Sequence, residues 1–418
     1  MSKLKIGILG ASRGMDFAMR ILPGWDYAEI AAVCESYPPL LEKCIQFFRE
    51  RGQSVFCTSS FDDLLEAGID AVIIANYANE HAPYAIRALE KGIHVYSEVQ
   101  PVQTLAEACL LCDAVERSGK VYAYGENYCY FDNTFAMRRH YEAGEIGEAV
   151  CLEGTFCNDC SPKWHLLTRG IRDHWRNYVP SSFYCTHSIG PLLFSTGLRP
   201  VRVHGLEAPR LAHMAEKGAR CGSGASLSMD LCNGGMGRSL NTNGFKHPYI
   251  ASYRLFGENG TIEATPDSVT VYRYDREFRY DVKSERASFM PFRHRPELDL
   301  GPVSNSDATG FGLFVAKILG DPVGERYSID VYRALDMALP GLLGYRSILK
   351  DGIPFEVPDL RDPAVRDRYR EDRYATDPRT PEPWRLPTSK SGTPEVDESV
   401  YEAVREDLAR VDLTPGMK

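Results

Sequence analysis

Residues 4–16 read LKIGILGASRGMD, and the fold turns on them. An apolar, strand-like run stops at Gly10 and a helical pattern starts almost at once, so backbone N–H groups at the helix start are free to face an anion. Gly10, Ser12, Arg13 and Gly14 form that turn, and all but Arg13 are small enough for a pyrophosphate to approach the main chain closely. The match to G-x-G-x-x-G is imperfect: Ser12 replaces the second glycine, Met15 the third, and Gly14 falls one position early. The next strand-like run, AEIAAVCE, ends at Glu35, about the spacing at which an acid meets a ribose 2′-hydroxyl. A carboxylate there repels a 2′-phosphate, which favours NAD over NADP. The competing reading is that Glu35 only caps the following segment.

Outward from this turn, the first 130 residues alternate strand and helix signals: DAVIIAN, HVYSE and KVYAYGEN on one side, LLEKCIQFFRERG, APYAIRALEKG and TLAEACLLCDAVERSG on the other. The alternation predicts a parallel sheet with helices on both faces. Thr104 and Glu107 have capping-box spacing, Gly92 and Gly119 follow helical runs as C-terminal caps, and Pro23 stops the first helix early. Beyond residue 130 the pattern becomes long strands and turns (EAVCLEGTFCND, ASLSMDLCNGG, ASYRLFGENGTIEATPDSVTVYRYD), with helices returning only in TGFGLFVAKILG and IDVYRALDMALPGLLGYRSILKDG. The expected organisation is an α/β Rossmann domain over 1–130, an α+β domain with an open, mainly antiparallel sheet over 131–357, and a Pro/Arg-rich arm with one short helix over 358–418. The arm reads as a solvated tail, with Tyr374 and Trp384 its only strong anchors, rather than as a strap around a neighbouring subunit.

The chain has 418 residues, 44% of them hydrophobic, and a formal net charge of −9 from 48 basic and 57 acidic side chains. That balance argues against nucleic acid or an anionic membrane as partner. No apolar run approaches about 18 residues, and the start MSKLKIGILGAS enters a strand rather than a signal-peptide core, so the expected address is cytoplasmic. Of twelve cysteines, Cys109/Cys112 and Cys157/Cys160 form CxxC pairs, yet neither has a partner pair at zinc-finger spacing. They read as buried thiols, and no metal is expected.

The order GILGA, AVCE, SSFDDLL, IDAVIIAN, EHAPYAIRALEKGIHVYSE resembles the Gfo/Idh/MocA oxidoreductases, which join a Rossmann domain to an α/β domain on an open antiparallel sheet. Dehydrogenases of that family carry Glu-Lys-Pro after the fifth strand, the lysine acting on the substrate hydroxyl, and an Asp four residues before a His. Here residues 97–101 read SEVQP: Val99 holds the lysine position, Gln100 the proline position, and Phe183 the aspartate position, while His187 is retained. The chain resembles the branch of NAD-dependent glycosidases typified by alpha-N-acetylgalactosaminidases, which carry Glu-Val-Pro, an ENxxY stretch and Tyr-x-Thr-His-x-x-Gly-Pro; this sequence has Glu98-Val99, Glu126-Asn127-Tyr128-Cys129-Tyr130 and Tyr184-Cys185-Thr186-His187-Ser188-Ile189-Gly190-Pro191.

The resemblance and the residue chemistry together nominate His187 and Tyr130 for proton transfer, with His187 on a turn just ahead of the helix that Gly190-Pro191 opens. Asn76, His81, Glu98 and Asn127 join the glycine turn and Glu35 as cofactor contacts. Tyr128, Tyr184 and the polar aromatic loop with Asp159, Arg172, Trp175 and Arg176 are nominated for a hydroxyl-rich ligand. The implied function is an NAD-dependent oxidoreductase acting on a ring hydroxyl of a sugar or glycoside, with redox-assisted elimination and hydration as its extended form. The alternatives are a simple sugar or polyol dehydrogenase and a catalytically silent nucleotide-binding protein. The resemblance also implies a homodimer or homotetramer.

Overall fold

The computed structural model describes residues 3–21, 25–274, 280–286 and 305–411; Pro23 lies outside them. Six strands, β1 (Leu4–Leu9), β2 (Ala28–Cys34), β3 (Phe56–Thr58), β4 (Ala71–Ile74), β5 (His94–Ser97) and β6 (Tyr122–Tyr124), form a sheet in the order β3-β2-β1-β4-β5-β6 with every pair parallel. Ile6, Ile8, Val72, Ile73, Ile74 and Val95 are fully buried, which is what a strand covered on both faces requires. The covering helices are α1 (Ala11–Asp16, continued by a π-helical turn to Ile21), α2 (Pro38–Glu50), α3 (Phe61–Leu65), α4 (His81–Glu90) and α5 (Leu105–Ser118). Helix α5 starts at the capping box: Thr104 accepts from the Glu107 N–H at 3.1 Å and Glu107 accepts from the Gln103 N–H at 2.7 Å. It ends on Gly119 at φ 60°. Strand order reverses between β1 and β4, and the crevice at their carboxyl ends is where such a sheet receives a nucleotide.

After α6 (Asp132–Glu142) the described residues form a nine-stranded sheet in the order β14-β13-β12-β11-β7-β10-β9-β8-β15. Its strands are β7 (Ala149–Cys157), β8 (Pro200–Ala208), β9 (Gly224–Leu231), β10 (Met236–Thr242), β11 (Ile250–Gly257), β12 (Gly260–Ala264), β13 (Ser268–Tyr274), β14 (Tyr280–Arg286) and β15 (Phe355–Glu356). All pairs are antiparallel except β7 with β10. The helices here are α7 (Trp164–Thr168), α8 (Thr186–Thr196), α9 (Ala212–Ala215), α10 (Ser306–Ile318), α11 (Pro322–Tyr327), α12 (Val331–Leu349), α13 (Pro363–Asp367) and α14 (Glu398–Ala409). One sheet face carries α8 and α12. The approach is so close that a Cβ on Gly154 would stand 1.8 Å from the Ser188 carbonyl oxygen. Helix α10 returns to the first domain, where Phe311 meets Phe17 and Tyr96 edge-on at 5.9 and 5.5 Å.

The segment after Pro358 departs from the expected solvated tail. Arg366 is 1% exposed and pairs with Asp113 and Glu116 of α5 at 3.0 and 2.8 Å. Leu360, Val396, Tyr401 and Val404 are buried as well. The anchors are thus an arginine and the apolar stripe of α14, whereas Tyr374 and Trp384 pack edge-on against each other with Tyr374 exposed. The sequence reading misses Arg366 because its ion-pair partners lie some 250 positions earlier in the chain.

Candidate active site

At the glycine turn, Gly10 has φ 89°, and a Cβ there would sit 2.5 Å from the Asn76 amide nitrogen, so only glycine leaves the turn open. Gly14 serves the packing instead, since a Cβ there would meet Ile8 Cγ2 at 2.3 Å, and its bareness lets α1 lie against β1. The glycine that falls one position early in the fingerprint therefore still brings helix and strand together. Glu35 is buried, and its two oxygens accept from the N–H groups of Ala11 and Tyr37, each at 2.8 Å. It therefore caps the turn, and the carboxylate's remaining lone pairs are those a ribose hydroxyl would use. Among the described residues Asn76 Oδ1 is a buried acceptor without a donor, an arrangement that fits a nucleotide supplying a hydroxyl or amide proton.

Arg13 projects from this turn across the domain boundary. It donates to Glu98 at 3.0 Å and Asp307 at 2.6 Å and pairs with Asp16 at 3.2 Å. Burial pushes the Glu98 carboxyl upward, Arg13 opposes this, and Asp307 and Glu126 reinforce it. Glu98, nominated as a direct cofactor contact, thus also holds the glycine turn through Arg13. His81 is buried, with Nδ1 2.8 Å from the Gln100 carbonyl and Nε2 3.4 Å from the Asn76 carbonyl; burial drops it to about 4, so the ring is neutral. It ties the loops after β4 and β5 together. The Val99–Gln100 peptide is cis, and the Gln100 side chain donates to the Phe183 carbonyl, joining SEVQP to the His187 segment.

His187 lies in the first turn of α8, not on a turn ahead of a helix. Pro191 does not open the helix; it sits inside it. Lacking an N–H, Pro191 leaves the carbonyl four residues back without its helical donor, and that carbonyl, His187 O, accepts from Tyr253 Oη at 3.0 Å. A phenol from β11 therefore repairs the helix at His187. His187 Nδ1 is 2.9 and 3.0 Å from the two oxygens of Glu126, a side chain with no solvent exposure. Glu126 also accepts from Thr186 Oγ1 at 2.7 Å and the Tyr128 N–H at 3.3 Å. The carboxylate fixes the proton on Nδ1 and leaves Nε2 free of protein partners among the described residues. The rings of Tyr128, Phe156 and Tyr184 surround the imidazole at 4.7, 4.8 and 5.5 Å.

Glu126, Tyr249, Asp307 and Phe156 are site residues that sequence reasoning did not nominate. Glu126 alone left a signal, as the acid of the ENxxY stretch at the carboxyl end of β6. Tyr249 left none, yet it donates to Tyr128 Oη at 2.7 Å. Burial pushes the Tyr128 phenol upward, so it stays protonated.

The structure corrects Tyr130. Its ring is buried, its hydroxyl faces the Tyr327 carbonyl at 3.4 Å and the Ile329 N–H at 3.2 Å, and burial raises its pKa further. It is a core residue, and Tyr128 stands at the imidazole instead. Arg172 is also misplaced: it is exposed and pairs with Glu398 of α14 at 3.3 Å. Asp159 accepts from the Ser161 N–H in its own loop. Trp175 is buried with Phe183 and Tyr184 as packing beneath the site. Arg176 stands nearer, over Trp175 at 4.4 Å and donating to Tyr184 Oη at 3.2 Å. The Asn127 side chain makes no protein hydrogen bond among the described residues, and Phe183 fills the aspartate position with a buried ring. Burial pushes the thiols of Cys109, Cys112 and Cys160 upward, and the described residues hold no cluster of three metal-ligating side chains. No described helix is long and apolar enough to cross a membrane.

Residues 4–126 match the Gfo/Idh/MocA family model, described as an oxidoreductase family with an NAD-binding Rossmann fold. Two relatives, each called a glycosyl hydrolase family 109 protein, come from Shewanella pealeana and Shewanella woodyi. They are 27% and 25% identical over 203 residues, 46% of this chain and 44% and 43% of theirs. The match thus spans less than half of either relative. Among solved structures, an inositol dehydrogenase homolog from Azotobacter vinelandii, complexed with NADH and myo-inositol, superposes with a TM-score of 0.67 at 16% identity, covering 85% of this chain and 98% of that one. An oxidoreductase from Sinorhizobium meliloti gives 0.67 at 18% identity, covering 85% and 100%. These likenesses extend the fold assignment over both domains.

Proposed function

We propose, from the premise that residues 4–126 form an NAD-binding Rossmann domain of the Gfo/Idh/MocA oxidoreductase family, that the chain is an NAD-dependent enzyme acting on a ring hydroxyl of a sugar or glycoside. The observation that carries this reading is the His187–Glu126 pair set among Tyr128, Tyr184 and Phe156: a base with an oriented proton, walled by rings that suit the C–H faces of a sugar. Bound NAD supplies a hydride acceptor. Nε2 of His187 takes the hydroxyl proton, and Glu126 holds the opposite N–H and stabilises the imidazolium. The protonated Tyr128 phenol is a hydrogen-bond donor beside it. The glycine turn, Glu35 and Asn76 are the residues that would hold the dinucleotide.

Val99 offers no relay where the family's dehydrogenases place lysine, and this favours a hydride that is borrowed rather than released. Oxidation at C3 would acidify the C2–H; that proton would be lost and the departing aglycone oxygen would take up a proton as the C1–O bond breaks, water would then add its hydroxyl to C1 and a proton to C2, and the hydride lent to NAD would be returned to C3. The relatives named as glycosyl hydrolases support this form. Aryl glycosides are the test: they should release their phenol with no lasting rise in NADH, and in heavy water the sugar should carry deuterium at C2. Stoichiometric NADH with the glycosidic bond intact would favour the simple dehydrogenase, and NAD binding with neither product the silent protein. The sheet face turned away from α8 and α12 carries the ladder Arg238–Glu153–Arg254–Glu263, and a second copy of the chain is the partner we assign to it, as dimer or tetramer.

A further inference from the structure

The connection after α7 turns through two left-handed residues in succession, Arg169 at φ 55° and Gly170 at φ 63°. Glycine is required at the second: a Cβ on Gly170 would lie 2.5 Å from Arg405 Cγ and 2.7 Å from the Tyr401 carbonyl oxygen. The Gly170 carbonyl accepts from Arg405 Nη1 at 2.8 Å, so α14 props the turn from behind. Arg169 is the left-handed C-cap of α7, its N–H donating to the His165 carbonyl at 2.9 Å, a position that glycine usually takes. A long side chain in the left-handed region costs conformational free energy, and such outliers persist where the surroundings over-determine them.

The Arg169 guanidinium makes no hydrogen bond or ion pair among the described residues. It lies 4.4 Å over the ring of Tyr37, and it is close enough to Tyr77 that its charge partly opposes the burial and the Glu35 carboxylate that push that phenol upward. Tyr37 follows β2 and donates its N–H to Glu35; Tyr77 follows β4. These are the two loops that flank the glycine turn, on the side where a Rossmann sheet receives the adenosine half of a dinucleotide. A planar cation over that end has the chemistry to stack on adenine.

We propose that Arg169, carried by the second domain, is the outer wall of the adenosine end of the nucleotide site, so that the dinucleotide is held between both domains. The inference rests on the NAD reading above. Arg169→Asn tests it, because Asn removes the guanidinium and tolerates the left-handed backbone; Arg169→Lys keeps the charge and loses the plane. Calorimetry with NAD, AMP and nicotinamide mononucleotide reads the effect. In Arg169→Asn, NAD and AMP should bind about tenfold more weakly, nicotinamide mononucleotide should bind unchanged, and Arg169→Lys should recover only part of the loss. If wild type binds NAD and AMP while Arg169→Asn binds AMP equally well or more tightly, the inference is overturned and the NAD reading stands. If wild type binds neither nucleotide, the NAD reading itself has failed.

Discussion

On the proposed reading, Glu126 is the residue on which the chemistry hangs. With no exposure and donors from Thr186, His187 and Tyr128, it is a carboxylate made acceptable in the interior by its hydrogen bonds. It fixes which nitrogen of His187 carries the proton and, in the proposed reaction, would stabilise the charged ring. Glu126→Gln preserves shape but presents an amide that cannot compensate an imidazolium. The expected outcome is a loss of about a hundredfold or more in kcat with NAD affinity unchanged, checked by steady-state turnover alongside nucleotide titration. A variant with normal kcat would return His187 and Glu126 to structural duty.

At the scale of elements, α5 and α8 show two ways of satisfying backbone groups that a helix leaves unpaired. Helix α8 borrows a phenol from β11 because Pro191 removed a donor. Helix α5 is self-sufficient: Thr104 and Glu107 cap it by the spacing legible in the sequence. The cap carries a pH cost, because burial pushes the Glu107 carboxyl up to about 7 from an ordinary value of about 4.3. A folded-state pKa raised above the unfolded one binds protons more tightly in the folded chain, so this contribution to stability is complete below about pH 4.3 and lost as pH rises toward about 7. Glu107→Gln keeps a capping-box acceptor and removes the titration. Urea unfolding between these limits should show wild type losing stability relative to the variant as pH rises, and parallel curves would refute the assignment.

In the whole molecule, the C-terminal segment fastens the two domains. Arg366 and Arg370 reach α5 of the first domain, while Asp372 pairs with Arg346 of α12 at 2.5 Å and Tyr401 receives Arg220 at 3.2 Å. Arg366 is buried but Glu116 is partly exposed, so solvent softens the pair. Arg366→Ala should cost about 2–3 kcal/mol, read as a lower denaturation midpoint, with the first domain's hydrogen-exchange protection falling around α5.

The sequence by itself determined what depends on local pattern. The strand–turn–helix at Gly10, the β/α alternation, the caps of α5 and the change to long antiparallel strands are set by neighbours along the chain, where periodicity and turn chemistry act. His187, Tyr128 and Tyr184 were also legible, through motif spacing, whereas Phe156 was not. Only the tertiary structure decided which tyrosine faces the imidazole, since Tyr128 and Tyr130 are two positions apart in one short turn and differ only in what the rest of the chain packs against them. The same holds for Glu126, whose partner stands 61 positions away, and for Arg366 of the arm, which is solvated in any local reading and buried once α5 supplies carboxylates. Ion pairs and buried polar contacts are made between distant segments, and burial, which decides their strength, exists only when the whole chain has closed around them.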